Sequence, residues 1–170
     1  MLDKTHSINS SAREKLIEHL LVGELQKHLW TQGVRNTEIL HGEVDSAGYD
    51  IVFEVDGIMR HVQLKASYLG AKTSRVNISL DLARKQSGCV IWVWFERETL
   101  NLGPFLWFGG LPGEKLPSLG NKTARHSKGN RDGVKLERPN LRVLNKGHFE
   151  RLHDIDALAA ALFGPLESCC

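Results

Sequence analysis

Several absences narrow the reading of this 170-residue chain before any motif is considered. Cysteine is scarce: three residues, Cys89 inside an apolar run and Cys169-Cys170 as the terminal dipeptide. That is no disulfide framework, so a reducing compartment, and hence a cytoplasmic protein, is the simplest expectation. There is no run of about eighteen apolar residues to span a bilayer. Residues 1–11 lack the charged-then-apolar pattern of a signal segment, so a membrane partner is not expected. The cysteines are not set at ligand spacing with histidines, which removes a zinc clamp. Gly109-Gly110 and Gly113 lack the lysine and the strand–helix context of a phosphate-cradling loop. A strong excess of one charge is also missing. Lys and Arg number 22 against 20 Asp and Glu, a net +2 that does not by itself require a polyanion partner.

What remains is ordinary globular material, 41% hydrophobic and 25% charged, of a length that suits one domain with its own core. Residues 1–11 read as a loose N-terminal segment, 12–165 as a single domain and 166–170 as a tail. Leu16, Ile17, Leu20, Leu21, Leu25 and Leu29 recur with helical period, predicting a helix over 12–32 that Gly33 stops, with Ser11 and Glu14 as a capping box. Residues 37–40 suggest a short strand, and 51–55 and 58–64 two longer ones. Residues 79–86 read as a helix. The run 89–95 (CVIWVWF) is apolar on both faces, as a central strand would be. Residues 105–108 and 141–144 read as further strands, and 154–163 as an amphipathic helix ending at Gly164-Pro165. Trp92, Trp94 and Trp107 read as sheet packing, and Trp30 as packing at a helix end. The class is α/β.

The stretch from Val44 to Ser67 carries the chemistry. Asp56-Gly57 is a tight-hairpin signal, because glycine accepts the positive φ such turns need. Folded there, the two strands bring Asp50 level with Gln63 and Lys65. Gln63 and Lys65, two apart, point to one face while Val62 and Leu64 point to the other. An acid, an amide and an amine on one face need each other or an ion to offset lost hydration.

These residues, Gly48-Tyr49-Asp50 followed by Gln63-Leu64-Lys65, resemble the PD-(D/E)xK, or restriction-endonuclease-like, nuclease superfamily in its Q-x-K form. Tyr49 stands where the proline is usual and Gln63 where an acid is usual. The resemblance covers roughly residues 12–95. It implies an αβββαβ core with a mixed central sheet flanked by helices, and hydrolysis of phosphodiester bonds with Mg2+, or Mn2+ in its place. Asp50 would bind the metal, with the Gln63 amide oxygen and the Leu64 carbonyl beside it. Lys65 would orient or activate water, or stabilise the charge of the transition state. The superfamily places an acid on the first helix. Glu24 is the best match and Glu18 the second, although Glu24 could equally sit at the stripe's edge and pair with Lys27 or His28. Glu54 shares Asp50's face farther along the strand, and Asp45 reads as a loop residue. The implied partner is nucleic acid, double-stranded DNA ahead of RNA, with a homodimer matching a two-stranded substrate. The substitutions at Tyr49 and Gln63 motivate the alternative of an inert nucleic-acid-binding or protein-interaction module on the same fold.

Residues 109–140 carry little apolar periodicity and read as one long basic loop. Lys115, Lys122, Arg125, Lys128, Arg131, Lys135 and Arg138 are spread along it. Together with Lys72 and Arg75 they could hold a phosphate backbone, with Lys122, Arg125, Lys128 and Arg131 as the contacts. Glu114, Asp132 and Glu137 dilute the charge, and a solvated loop is the plain alternative. His126 in this loop reads as incidental.

Overall fold

The computed structural model describes residues 10–42, 47–129, 131 and 133–165. Asp45, most of the N-terminal segment and the tail at 166–170 lie outside them. The chain runs α1 (Ser10–Thr31), β1 (Thr37–His41), β2 (Ile51–Val55), β3 (Ile58–Tyr68), β4 (Arg75–Ser79), α2 (Leu80–Ala83), β5 (Gly88–Phe95), β6 (Leu102–Gly109), β7 (Thr123–Arg125), β8 (Glu137–Asn145), a 3-10 turn (Lys146–His148), β9 (Glu150–Leu152) and α3 (Ile155–Phe163). Six strands form one sheet in the order β1-β2-β3-β5-β6-β9, and β4-β8-β7 form a second. The large sheet is mixed: β3 and β5 run parallel while its other neighbours are antiparallel. The fold is therefore a mixed α/β domain with helices flanking a mixed central sheet.

The hairpin forms where its sequence predicts. Asp56 (φ 48°) and Gly57 (φ 80°) both take positive φ, the twist that matches a two-residue hairpin to its strands. Ile51 then pairs with Val62. β5 is buried along its whole length and serves two cores at once by its period of two. Cys89, Ile91, Val93 and Phe95 join an aliphatic core with Ile17, Leu21, Leu25 and Leu29 of α1 and Leu158, Leu162 and Phe163 of α3. Val90, Trp92 and Trp94 join a second core with Ile78, Leu82, Leu144 and Phe149, which seats the small sheet. Burying the four α1 aliphatics contributes at most about 6–12 kcal/mol before entropy is counted, and this outweighs any weakness in helix propensity at Gly23.

Four expectations change. The helix predicted at 79–86 shrinks to α2, because residues 75–79 extend as β4 to pair with β8 and Ser79 caps α2 by accepting from the Asp81 N–H. Ser11 lies within α1 rather than at its cap. The stretch 109–140 is not one loop: it holds β7 and the first half of β8. These strands are mostly exposed, so they lack the apolar alternation by which a strand is read. Trp30 is 63% exposed, not packed, with the Arg35 guanidinium 3.9 Å from its ring centre. Trp92, Trp94 and Trp107 are buried as expected. Among the described residues no helix is long and apolar enough to cross a membrane.

Candidate active site

The ladder between β2 and β3 continues one step past β2, where the Asp50 N–H donates to the Val62 carbonyl at 2.9 Å. Asp50 therefore stands beside Gln63. Its Oδ2 accepts the Leu64 N–H at 2.6 Å, a short charge-assisted bond that fixes the carboxylate against the strand. The chain reaches Asp50 through Gly48 (φ +79°), where an added Cβ would lie 2.7 Å from the Leu82 nitrogen. The approach to Asp50 thus fits closely against α2, and only glycine suits both the space and the conformation. Gln63 reaches across to the small sheet, its Oε1 accepting the Ser79 N–H at 3.1 Å.

Lys65 faces the same side, level with Trp92 of β5. Burial lowers its pKa by disfavouring the charged amine. Asp50 and Glu14 oppose that shift, and the positive charge of Arg138 adds to it. Two residues on, Ser67 Oγ accepts from Trp92 Nε1 at 3.0 Å, which satisfies the indole deep in the second core. All of these groups except Trp92 line one cleft of about 720 Å3, walled by α1, by β3 and by the β4–β8 edge of the small sheet.

Two acids of α1, Glu14 and Glu18, line this cleft. Glu18 is buried at 6% exposure, whereas Glu24 is exposed and lies outside the cleft. With 3.6 residues per turn, Glu18 falls between Leu25 and Leu29 on the helical wheel, while Glu24 is about 120° from that seam. Glu18 meets Lys15 Nζ at 3.0 Å and His41 Nδ1 at 3.0 Å. Glu54 pairs with Met59 near the hairpin turn. It is four residues, about 13 Å of strand, from Asp50, and does not line the cleft.

Lys122, Arg125, Lys128 and Arg131 are exposed, and none lines the cleft. Arg125 lies 3.6 Å from Glu137, partly offsetting its charge. Arg138, which the sequence reading left among the background cations, does line the cleft. Lys15, Glu14, His41 and Asn77 were also missed. Glu14 and Glu18 are one helical turn apart, and that spacing could have found them.

Among the described residues no three His, Cys, Asp or Glu side chains gather as a metal cluster. The donors at Asp50 and Gln63 are nevertheless the hard oxygens that magnesium prefers, and that ion needs only one or two carboxylates because it keeps several waters. The donor chemistry fits such an ion.

No protein-family model matches the chain, and no curated protein sequence does either. Among solved structures, the bacterial homing endonuclease I-Ssp6803I is similar at 21% identity over 71% of this chain and 85% of that one, with a TM-score of 0.30. Agreement that loose places no residue of one chain on the other.

Proposed function

We propose that this chain is a metal-dependent nuclease that hydrolyses phosphodiester bonds, in DNA ahead of RNA. The observation that carries the reading is the convergence of Asp50, Gln63 and partly buried Lys65 on one wall of a single cleft. Glu18 and Arg138 complete its rim. Asp50, the Gln63 amide oxygen and the Leu64 carbonyl would hold Mg2+ or Mn2+, which when bound supplies Lewis acidity and a lowered pKa for water.

The chain's own residues do the rest. The Leu64 N–H holds the Asp50 carboxylate in place, so little reorganisation is needed when substrate arrives. Protonated Lys65 Nζ stabilises negative charge growing on a phosphoryl oxygen. Alternatively, because burial favours its neutral form more than on a surface lysine, the deprotonated nitrogen takes a proton from an attacking water. Arg138, which lines the cleft, offers a fork of donors to a phosphate. Glu18, held by Lys15 and His41, adds a negative charge to the cleft wall, while Asp50 and Glu14 favour the charged form of Lys65.

The decisive experiment incubates the purified chain with plasmid and branched DNA in magnesium or manganese, beside an EDTA control and Lys65→Ala. Metal-dependent cleavage lost in Lys65→Ala is expected. Absence of cleavage, or cleavage undiminished in the variant, would overturn the reading. One observation favours the inert binding module instead: the Gln63 oxygen already accepts the Ser79 N–H. Calorimetry separates the two, since an inert module binds DNA yet takes up neither metal even with nuclease-resistant DNA present.

A further inference from the structure

Beside the cleft lies a second hollow of about 300 Å3 whose chemistry the hydrolytic site does not use. Its floor is apolar, from Leu69, Ala71, Pro104 and Leu106, and its polar side chains are Trp94, Lys146 and Arg151. All three are donors: an indole N–H, an ammonium and a guanidinium. Trp94 is 5% exposed, and its Nε1 finds no acceptor among the described residues. The Lys146 ammonium sits 3.8 Å from the centre of the Trp94 ring, which holds a positive charge at the hollow. Among the described residues neither Lys146 nor Arg151 forms an ion pair. A ligand that satisfies such a site must bring acceptors and negative charge.

The hollow adjoins the cleft. Ser67 lines the cleft, and its partner in register on the neighbouring strand, Trp94, lines the hollow, a strand spacing of about 4.8 Å. From Lys65 to Leu69 is four residues, about 13 Å of extended chain. Because the backbone winds around the axis as well as rising about 3.4 Å along it per step, that distance matches about two phosphate steps on one strand of duplex DNA.

We propose that this hollow is a phosphate subsite, in which Trp94 Nε1, Lys146 and Arg151 grip a backbone phosphate of the strand whose scissile bond lies at Lys65. The assignment of the strand rests on the nuclease reading, but the donor set does not. Because only Lys146 and Arg151 are charged, they govern the salt dependence of binding, while Trp94 contributes a neutral hydrogen bond.

The test is binding of a 20-base-pair duplex to the full chain in EDTA, followed by fluorescence anisotropy across a salt series, with inorganic phosphate as a second probe. Lys146→Gln with Arg151→Gln is expected to weaken duplex binding about tenfold or more and, since one phosphate is lost, to lower the log–log salt slope by about 0.9. Trp94→Phe should weaken binding several-fold at an unchanged slope. The two surface changes keep the test valid if Trp94→Phe disturbs the core. Wild-type affinity and slope in the double variant would overturn the proposal, as would failure of the wild-type chain to bind duplex. If inorganic phosphate binding is lost in the double variant while duplex binding is not, the hollow takes free phosphate and the strand assignment fails. Binding through the hollow without any metal-dependent cleavage would sink the nuclease reading alone.

Discussion

The placement of the helix acid can be tested by a matched pair of substitutions, Glu18→Gln and Glu24→Gln. Both residues lie on α1, both changes remove one negative charge, and neither alters side-chain size. Their surroundings differ: Glu18 has an 8% exposed side chain held by Lys15 and His41, and Glu24 is exposed. The partners of Glu18 are themselves 67% and 48% exposed, so water screens each pair to about 0.2–1 kcal/mol. Glu18→Gln should therefore cost about 1 kcal/mol in urea unfolding. Glu18→Ala should cost about 2 kcal/mol, because a buried methylene worth about 0.8 kcal/mol goes as well. Glu24→Gln should stay within about 0.5 kcal/mol. Activity should separate them further. Removing one negative charge from a cleft weakens its capture of a divalent cation by about tenfold or more. Plasmid cleavage titrated with magnesium should show Glu18→Gln needing that much more metal, with Glu24→Gln on the wild-type curve. The reasoning fails if Glu24→Gln shifts the titration as far as Glu18→Gln, or if Glu18→Gln does not shift it.

Five further outcomes are expected. Lys65→Met should lower the cleavage rate by about 100-fold or more while leaving urea stability equal to or above wild type, since a desolvated amine is replaced by an apolar chain of similar length. Because the folded-state pKa of Lys65 is lowered, the unfolded chain holds this proton to higher pH than the folded one. Lys65 therefore adds stability as pH rises from its lowered pKa towards about 10.4; in EDTA, wild type should gain on Lys65→Met across that alkaline window, and parallel curves would refute the linkage. Gln63→Glu should lower the magnesium needed for half-maximal cleavage yet destabilise the metal-free chain beside Asp50, both read from a metal titration and thermal melts with and without EDTA. Ser67→Ala should cost about 1–3 kcal/mol in chemical unfolding, because it leaves the fully buried Trp92 N–H without its acceptor. Lys122→Ala with Lys128→Ala should flatten the salt slope of duplex binding by about two units if the outer loop contacts phosphates; an unchanged slope would return that loop to solvent.

The parts of the fold legible in the sequence are those with one dominant physical cause. The i, i+4 stripe of α1, the Asp56-Gly57 turn and the apolar run of β5 each announce themselves through burial or backbone freedom. The pairing of Asp50 with Gln63 followed from the turn and the period of two alone. The small sheet was illegible because its strands stay mostly exposed and are held by pairing partners distant in sequence, β4 with β8 across more than sixty residues. Glu24 ranked above Glu18 in the sequence, yet it is Glu18 that lines the cleft, and the cause is again tertiary. On a wheel the six apolar residues span a broad arc, in which Glu24 falls between Ile17 and Leu20 and Glu18 between Leu25 and Leu29; only packing, which leaves Leu16 exposed and buries Ile17, Leu21, Leu25 and Leu29, turns the Glu18 side inward. Arg138 was hidden for the same reason as β8: only tertiary pairing tells a cleft residue from its neighbours in a basic run.

The unlike faces of β5 also act as a check on register. A slip of β3 by a single residue would turn Gln63 and Lys65 into the aliphatic core and offer Val62 and Leu64 to the cleft, a site without chemistry. The corresponding slip of β5 would ask the space now filled by Ile91 and Val93 to admit two tryptophans, and dense interiors do not yield that volume. The bulk of these indole rings thus guards the address of Lys65, and exchange of Trp92 for the much smaller Ile would weaken that protection before it touched any group of the proposed site.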